Sequence, residues 1–356
     1  MKYNILAHHP NDLTIGWAQR VVNLHYPDTK VSSISIVSID IGTTTRIRVL
    51  VEHDNPEALP KKWFIKLPSL NWKARLITAL PRLLHTEIRF YNELALTVPI
   101  NTPDFIQAQS KFGAGSTLVL FDITESGATP GMPGDTLTIT EATEVIKQLA
   151  KFHAQYWNNV HNDTSYHWLA SPVRDLEDHL GTLLSVPLMK RGIRLAGELI
   201  SPVLNASAIR YAHNRRKIMR FLSGSPKTLI HHDCHPGNLF WKEAQPGFLD
   251  WQLIRIGEGI SDISYFLSMA VKSEDRKKHE NRLLTIYKQE LINNGVLSTD
   301  LKNIQQRYYA HLIYPFEAMI VTLAIGGMMN LESNLKMLRR TISAIEDHNV
   351  FSALPM

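Results

Sequence analysis

Ile230-His231-His232-Asp233-Cys234-His235-Pro236-Gly237-Asn238, followed by Phe248-Leu249-Asp250-Trp251-Gln252, decides how this chain is read. An Asp and an Asn share one short segment, and a second Asp closes the next apolar run. Three oxygen-bearing side chains near strand ends can orient a hydroxyl and hold magnesium, a hard cation that prefers carboxylate, amide and phosphate oxygens. Phosphoryl transfer asks little more of a protein than positioning and charge neutralisation. Zinc is a competing reading, since His231, His232, Cys234 and His235 are all ligand types. Adjacent positions point in different directions, however, and a structural zinc site closes with a second distant pair that is not evident here. A plain turn capped by Asp233 and Asn238 is the other alternative. It leaves the return of Asp250 unexplained.

The spacing His231-x-Asp233-x-x-x-x-Asn238, with Asp250-Trp251 beyond it, resembles the catalytic loop and metal strand of the aminoglycoside phosphotransferase and choline kinase superfamily. Glu87 followed by Phe90-Tyr91, and the turn Gly42-Thr43-Thr44, are similar to the ecdysteroid-kinase-like sequences within it. So is Leu149-Ala150-Lys151-Phe152-His153-Ala154, where His153 is expected to pack beneath the catalytic loop. The resemblance spans roughly Asp40 to Leu267. It implies an α+β, protein-kinase-like two-lobed fold, with a small β-rich N-lobe over 1–123 and a large, mostly helical C-lobe over 124–356. It implies a small-molecule kinase that moves the γ-phosphate of a nucleoside triphosphate, ATP or GTP, to a hydroxyl acceptor with Mg2+. Asp233 would orient the acceptor hydroxyl and take its proton, a role worth ~10²–10⁴ in rate. Asn238 and Asp250 would hold the metal, and His231 would support the loop. Asp262, at the start of a helix, would cap it or brace the loop.

The front half carries the remaining parts. Lys66 lies in the apolar strand Trp63-Phe64-Ile65-Lys66-Leu67, where a flexible cation is unusual unless an anion meets it. In the kinase template such a lysine contacts phosphates and pairs with a Glu on the following helix, the place of Glu87. Gly42, Thr43 and Thr44 sit where a phosphate-covering turn belongs, offering N–H and O–H donors; as a lone signal this is a plain hairpin turn. Leu118 to Ile123 would be the hinge, with Phe121 and Ile123 against the base. Two departures stand out: His232 replaces a common Gly, so a positive φ there would be strained, and Phe121-Asp122 replaces a frequent Glu-Asp. A protein kinase is disfavoured, because no Asp-Phe-Gly and no activation segment ending in Ala-Pro-Glu is present. A nucleotide-binding scaffold that has lost turnover is the reading from another class, and it has no need of the full set of site residues.

The rest of the chain fits this outline. Asp12 to Tyr26 reads as an amphipathic helix with Asp12 as N-cap. Lys30–Asp40, Arg46–Val51, Phe105–Gln109 and Thr117–Phe121 read as strands, and Leu83–Leu96 as a helix. Beyond the Gly/Pro-rich stretch Glu125–Gly134 the helices run 140–158, 173–184, 209–222, 260–271, 281–293, 300–329 with a kink at Pro315, and 331–348. The basic run Lys272–Arg282 reads as a solvated face, and the Tyr308 to Phe316 aromatics as core that can border an acceptor pocket. With 356 residues, 44% apolar, there is chain enough for two lobes. A net charge of +5 suits an anionic ligand; the charges are scattered, so nucleic acid is not indicated. One cysteine, no signal-peptide pattern and no clean apolar span point to a cytoplasmic protein without a membrane partner.

Overall fold

Alternating aliphatic residues build a five-stranded antiparallel sheet in the order β1-β2-β3-β5-β4: β1 Val31–Ile41, β2 Thr44–His53, β3 Lys62–Pro68, β4 Phe105–Lys111 and β5 Gly115–Phe121. The structure, a computed structural model, describes residues 4–71, 83–111, 113–160, 164–170, 172–224 and 226–356. Helix α1 (Ile15–Val22) lays Trp17, Val21 and Val22 on the inner residues Ile47, Val49, Ile65 and Val119 of the sheet. The Trp17 indole donates to Ile5 O at 2.8 Å, so its bulk is buried without an orphaned N–H. Thr14, not Asp12, caps α1: its Oγ1 accepts from Trp17 N, whereas Asp12 closes a preceding 3-10 turn by accepting from His8 and His9 N. Helix α2 (Leu83–Glu93) completes this part. On β1 the alternation does not mark a buried face, since Ile36, Val37, Ile39 and Ile41 are exposed on an edge strand.

The chain forms two compact units, 1–130 with 249–252, and 131–248 with 253–356. The second is chiefly helical. Its helices are α3 Ile139–Gln155, α4 Pro172–Ala196, α5 Pro202–Leu222, α6 Ile260–Ala270, α7 Ser273–Asn293, α8 Ile304–His311, α9 Ile313–Ile325 and α10 Leu331–Asp347. A Thr138/Glu141 capping box starts α3. Strand β6 (Thr228–Ile230) pairs with β9 (Arg255–Gly257), and β7 (Leu239–Lys242) with β8 (Gln245–Phe248), so the 231–238 loop is held at its ends by strands. Helix α6 is buried along its whole length.

Two further expectations are corrected. The helix expected over 300–329 is broken after His311: a proline at 315 cannot donate to residue 311, and it sits instead in the first turn of α9, where no donor is needed. The run Lys272–Arg282 is not all solvated. Arg276 is 1% exposed and pairs with Glu280 at 2.6 Å and with Asp347 from α10. Ile304–Ile325 is apolar enough by composition for a membrane span, and 67% of its 18-residue window is buried inside the protein.

Candidate active site

In the first unit, Lys66 on β3 reaches both oxygens of Glu87 on α2, at 2.7 and 3.0 Å, and Asp250 Oδ1 at 3.1 Å. Lys66 and Glu87 are buried, so a charge on either depends on its partners. Burial weakens the hold of Lys66 on its proton, but Asp250 and Glu87 override this and push the ammonium above its ordinary range. Burial pushes the Glu87 carboxyl up to about 7, with repulsion from Asp250 adding to it and Lys66 opposing it. One cation thus serves two carboxylates. Trp251 fixes the segment behind Asp250 by stacking on Phe90 of α2, with centroids 4.1 Å apart and planes 7° off parallel. Asp250 itself sits at φ 61°, a left-handed conformation that a non-glycine residue adopts at a cost of roughly 1–3 kcal/mol.

In the second unit, Asp233 is held at both oxygens. Oδ1 accepts from the Tyr265 phenol at 2.6 Å and Oδ2 from Asn238 Nδ2 at 3.0 Å. Asn238 Nδ2 also donates to Asp233 O at 2.9 Å, so the amide nitrogen is spent on the loop. That leaves Oδ1 as the Asn238 atom that could act as an oxygen ligand. The loop is tied down by Asp262, fully buried in the first turn of α6. Its Oδ2 accepts from His231 N at 2.7 Å and its Oδ1 from His232 N at 2.8 Å. Of the cap and the brace, Asp262 is the brace; α6 has no side-chain cap. His153 lies beneath, buried between Asp262 Oδ2 (3.2 Å) and the Tyr287 hydroxyl (2.8 Å). The His231 ring accepts from Asp233 N at 3.3 Å and lies 5.9 Å from Phe248. His232 takes φ 70°, the strained conformation anticipated for a non-glycine there.

The outer parts differ in accessibility. Gly42 and Thr43 form the β1–β2 turn, tied to Ser69, whose hydroxyl donates to Gly42 O at 2.7 Å. Thr44 is already in β2 and buried. At the end of β5 the Phe121 N–H is taken by Asp104 O at 3.0 Å, and Ile123 O accepts from Ala128 N at 3.1 Å. Asp122 accepts from Thr124 N and pairs with Arg48.

Among the described residues no cluster of three or more His, Cys, Asp or Glu is arranged to hold a metal. Magnesium commonly takes only one or two protein oxygens, with waters and phosphates completing its octahedron, and Asn238 Oδ1 and the Asp250 carboxylate are donors of that kind. Tyr265 and Arg255 escaped the sequence reading. A tyrosine within the apolar run Ile263–Leu267 reads as core, and only its placement one turn after Asp262 hints that it faces the loop.

The model of the ecdysteroid kinase-like family matches residues 42–297. Comparison with curated proteins gave no match. Among solved structures, a choline kinase from Cryptosporidium parvum is similar at a TM-score of 0.58 and 11% identity, covering 96% of this chain and 97% of that one. The GDP complex of wild-type aminoglycoside 2'-phosphotransferase-IIIa gives 0.52 and 14%, covering 94% and 98%. An ethanolamine kinase from Plasmodium vivax gives 0.50 and 13%, covering 98% and 90%. At such identities the likeness establishes the fold, which is α+β and protein-kinase-like.

Proposed function

The chain belongs to the ecdysteroid kinase-like family, and from that premise we propose that it is a small-molecule kinase, moving the γ-phosphoryl group of a nucleoside triphosphate to an alcohol. The observation that carries the reading is the doubly held carboxylate of Asp233 on a loop braced by Asp262. A carboxylate whose two oxygens are fixed is preorganised to accept a hydrogen bond from an incoming hydroxyl along one direction. Asp233 orients that hydroxyl and takes its proton as the bond to phosphorus forms. Lys66, kept charged by Asp250 and Glu87, neutralises phosphate oxygens. Asn238 and Asp250 hold magnesium, which when bound supplies charge neutralisation on the phosphates. Gly42 and Thr43 cover the phosphates with turn donors, and the stretch from Phe121 to Ile123 borders the base; Thr44, being buried, contributes to the turn from within the strand.

ATP is the donor in this reading, with GTP the alternative, since an aminoglycoside phosphotransferase relative is a GDP complex. Choline, ethanolamine and aminoglycosides, named in the relatives, share a hydroxyl, and that is what carries over to this chain. The enzyme works in the cytoplasm on this reading, where its one buried thiol stays reduced. Calorimetry with ATP and GTP, with and without magnesium, tests the donor, and turnover against a panel of alcohols tests the transfer. Binding without turnover on any alcohol would favour a silent nucleotide-binding scaffold. No heat and no thermal shift with either nucleotide would remove the kinase reading.

A further inference from the structure

His235 stands two residues beyond Asp233, and its two ring nitrogens meet different surroundings. Nδ1 accepts from Gly237 N at 3.0 Å, capping the short 3-10 turn Pro236–Asn238. A ring nitrogen that accepts carries no proton, so in the neutral imidazole the proton is on Nε2. The backbone of the loop thereby sets the tautomer. Nε2 is a donor, and Asp233 Oδ1 stands 3.9 Å from it, beyond hydrogen-bond reach. Among the described residues no hydrogen bond uses Nε2, and the atom is not sealed from solvent although the side chain is only 8% exposed.

A cap alone does not call for an imidazole. It needs one acceptor, which Asp, Asn or Ser supplies with a smaller side chain. The histidine brings a second polar atom to the far side of a rigid ring, and the loop holds that ring still. His235 N donates to Asp233 O at 3.0 Å, and Asn238 N donates to His235 O at 2.9 Å. The segment 131–133 presses on the turn: Gly131 N donates to Leu239 O at 2.9 Å, and a Cβ on Gly237 would lie 2.5 Å from Pro133 Cγ. His235 itself is extended and unstrained, at φ −77°. Nε2 is therefore aimed by the same contacts that shape the loop around Asp233.

The 3.9 Å between Nε2 and Asp233 Oδ1 is a span that one oxygen atom bridges. An oxygen about 2.7–2.9 Å from each partner fits between them. Oδ1 has two lone pairs, and the Tyr265 phenol uses one of them at 2.6 Å. A hydroxyl has one proton and two lone pairs. With its proton toward Oδ1 and one lone pair toward Nε2–H, a single direction is left for the second lone pair. Fixing that direction is what in-line attack on phosphorus gains from the site.

Resting on the kinase reading, we propose that His235 is a second residue that contacts the acceptor, its Nε2–H donating to the attacking hydroxyl oxygen while Asp233 Oδ1 accepts the hydroxyl proton. The new bond from oxygen to phosphorus forms as the bond from phosphorus to the leaving nucleoside diphosphate breaks. The hydroxyl proton passes to Asp233, and His235 keeps its own. Its task is orientation, and it acts as a donor throughout.

The two nitrogens can be removed separately. An Asn amide oxygen reaches the place of Nδ1, and a Gln amide nitrogen that of Nε2. His235→Asn thus keeps the cap and deletes the donor, whereas His235→Gln keeps a donor and gives up the cap. Water serves as the hydroxyl, read as phosphate release from Mg-ATP by the full chain. We expect His235→Asn to match the wild type in denaturant midpoint and in thermal shift by Mg-ATP, with phosphate release slower by roughly tenfold. His235→Gln should be the less stable variant and yet the faster one. In NMR spectra of wild type carrying nitrogen-15 histidine, the ring signals that vanish in His235→Asn should report the Nε2–H tautomer. Wild-type phosphate release in His235→Asn, variant rates that follow the order of their stabilities, or an Nδ1–H tautomer would each overturn the proposal. A wild type that neither binds Mg-ATP nor releases phosphate from it removes the kinase reading, and the proposal only through it.

Discussion

Tyr265 donates its phenol to Asp233 Oδ1 at 2.6 Å, so a residue of a wholly buried helix aims the carboxylate on which the proposed chemistry turns. The phenol is itself pushed well above its usual range by burial, with the Asp233 charge adding to it, and remains a donor. Tyr265→Phe removes that bond and little volume. A hydrogen bond to a carboxylate favours its charged form, so its loss should move the acidic limb of the kcat/KM profile to higher pH. Turnover should fall by roughly tenfold, in keeping with a bond to a charged group. A reduced rate with an unmoved acidic limb would make Tyr265 a packing residue only.

Asp233 and Asp250 separate by readout. Asp233→Asn keeps the shape and removes the proton acceptor, so turnover should drop by ~10² or more with nucleotide affinity nearly unchanged. Asp250→Asn removes the carboxylate proposed to hold magnesium and one partner of Lys66, so the magnesium-dependent part of nucleotide affinity should fall along with turnover. Near-normal turnover in Asp233→Asn would remove it from the chemistry.

Glu87 predicts a pH dependence of stability. Burial lifts its carboxyl to about 7, above the ordinary carboxylate range that it shows when unfolded. Across that window the folded chain holds a proton the unfolded chain has released, so this group's contribution falls as pH rises toward 7. Glu87→Gln cannot titrate. The Tm difference between wild type and variant, followed from about pH 5 to pH 8, should shift against the wild type as pH rises. A difference independent of pH would mean that Lys66 keeps Glu87 ionised throughout.

The parts legible in the sequence were those whose residue types are costly where they stand. Lys66 in an apolar strand and Asp233 beside Asn238 both demand a reason, and the structure pairs Lys66 with Glu87 and Asp233 with Asn238. What stayed hidden depends on partners distant in the chain. Arg276 reads as a solvated charge because Asp347 and His348, its companions with Glu280, lie at the other end of the helical region. Arg255 looks like an ordinary strand residue until Asp178 and His232 are brought to it. Thr14 and Asp12 are equally good caps by type, and only the turn at Pro10 chooses between them.

Asp262 gives the last prediction, since its two oxygens together serve two backbone donors of the 231–238 loop and the His153 imidazole. Asp262→Asn keeps the volume but offers a single accepting oxygen, so either His231 N or His232 N loses its acceptor inside the protein. A buried donor left unmatched costs about 1–3 kcal/mol, which denaturant titration resolves. The same change should expose Cys234. Its Sγ now donates to Asp262 O at 3.3 Å in a fully buried position, and burial, then Asp262 and Asp233, hold the thiol well above its usual range. Native wild type should therefore resist iodoacetamide at neutral pH, because the thiolate is the reactive form. Asp262→Asn should label measurably faster, through more frequent opening of the loop. If the variant is as stable as the wild type and its thiol as slow, the loop is held by its strand ends alone and Asp262 is not its brace.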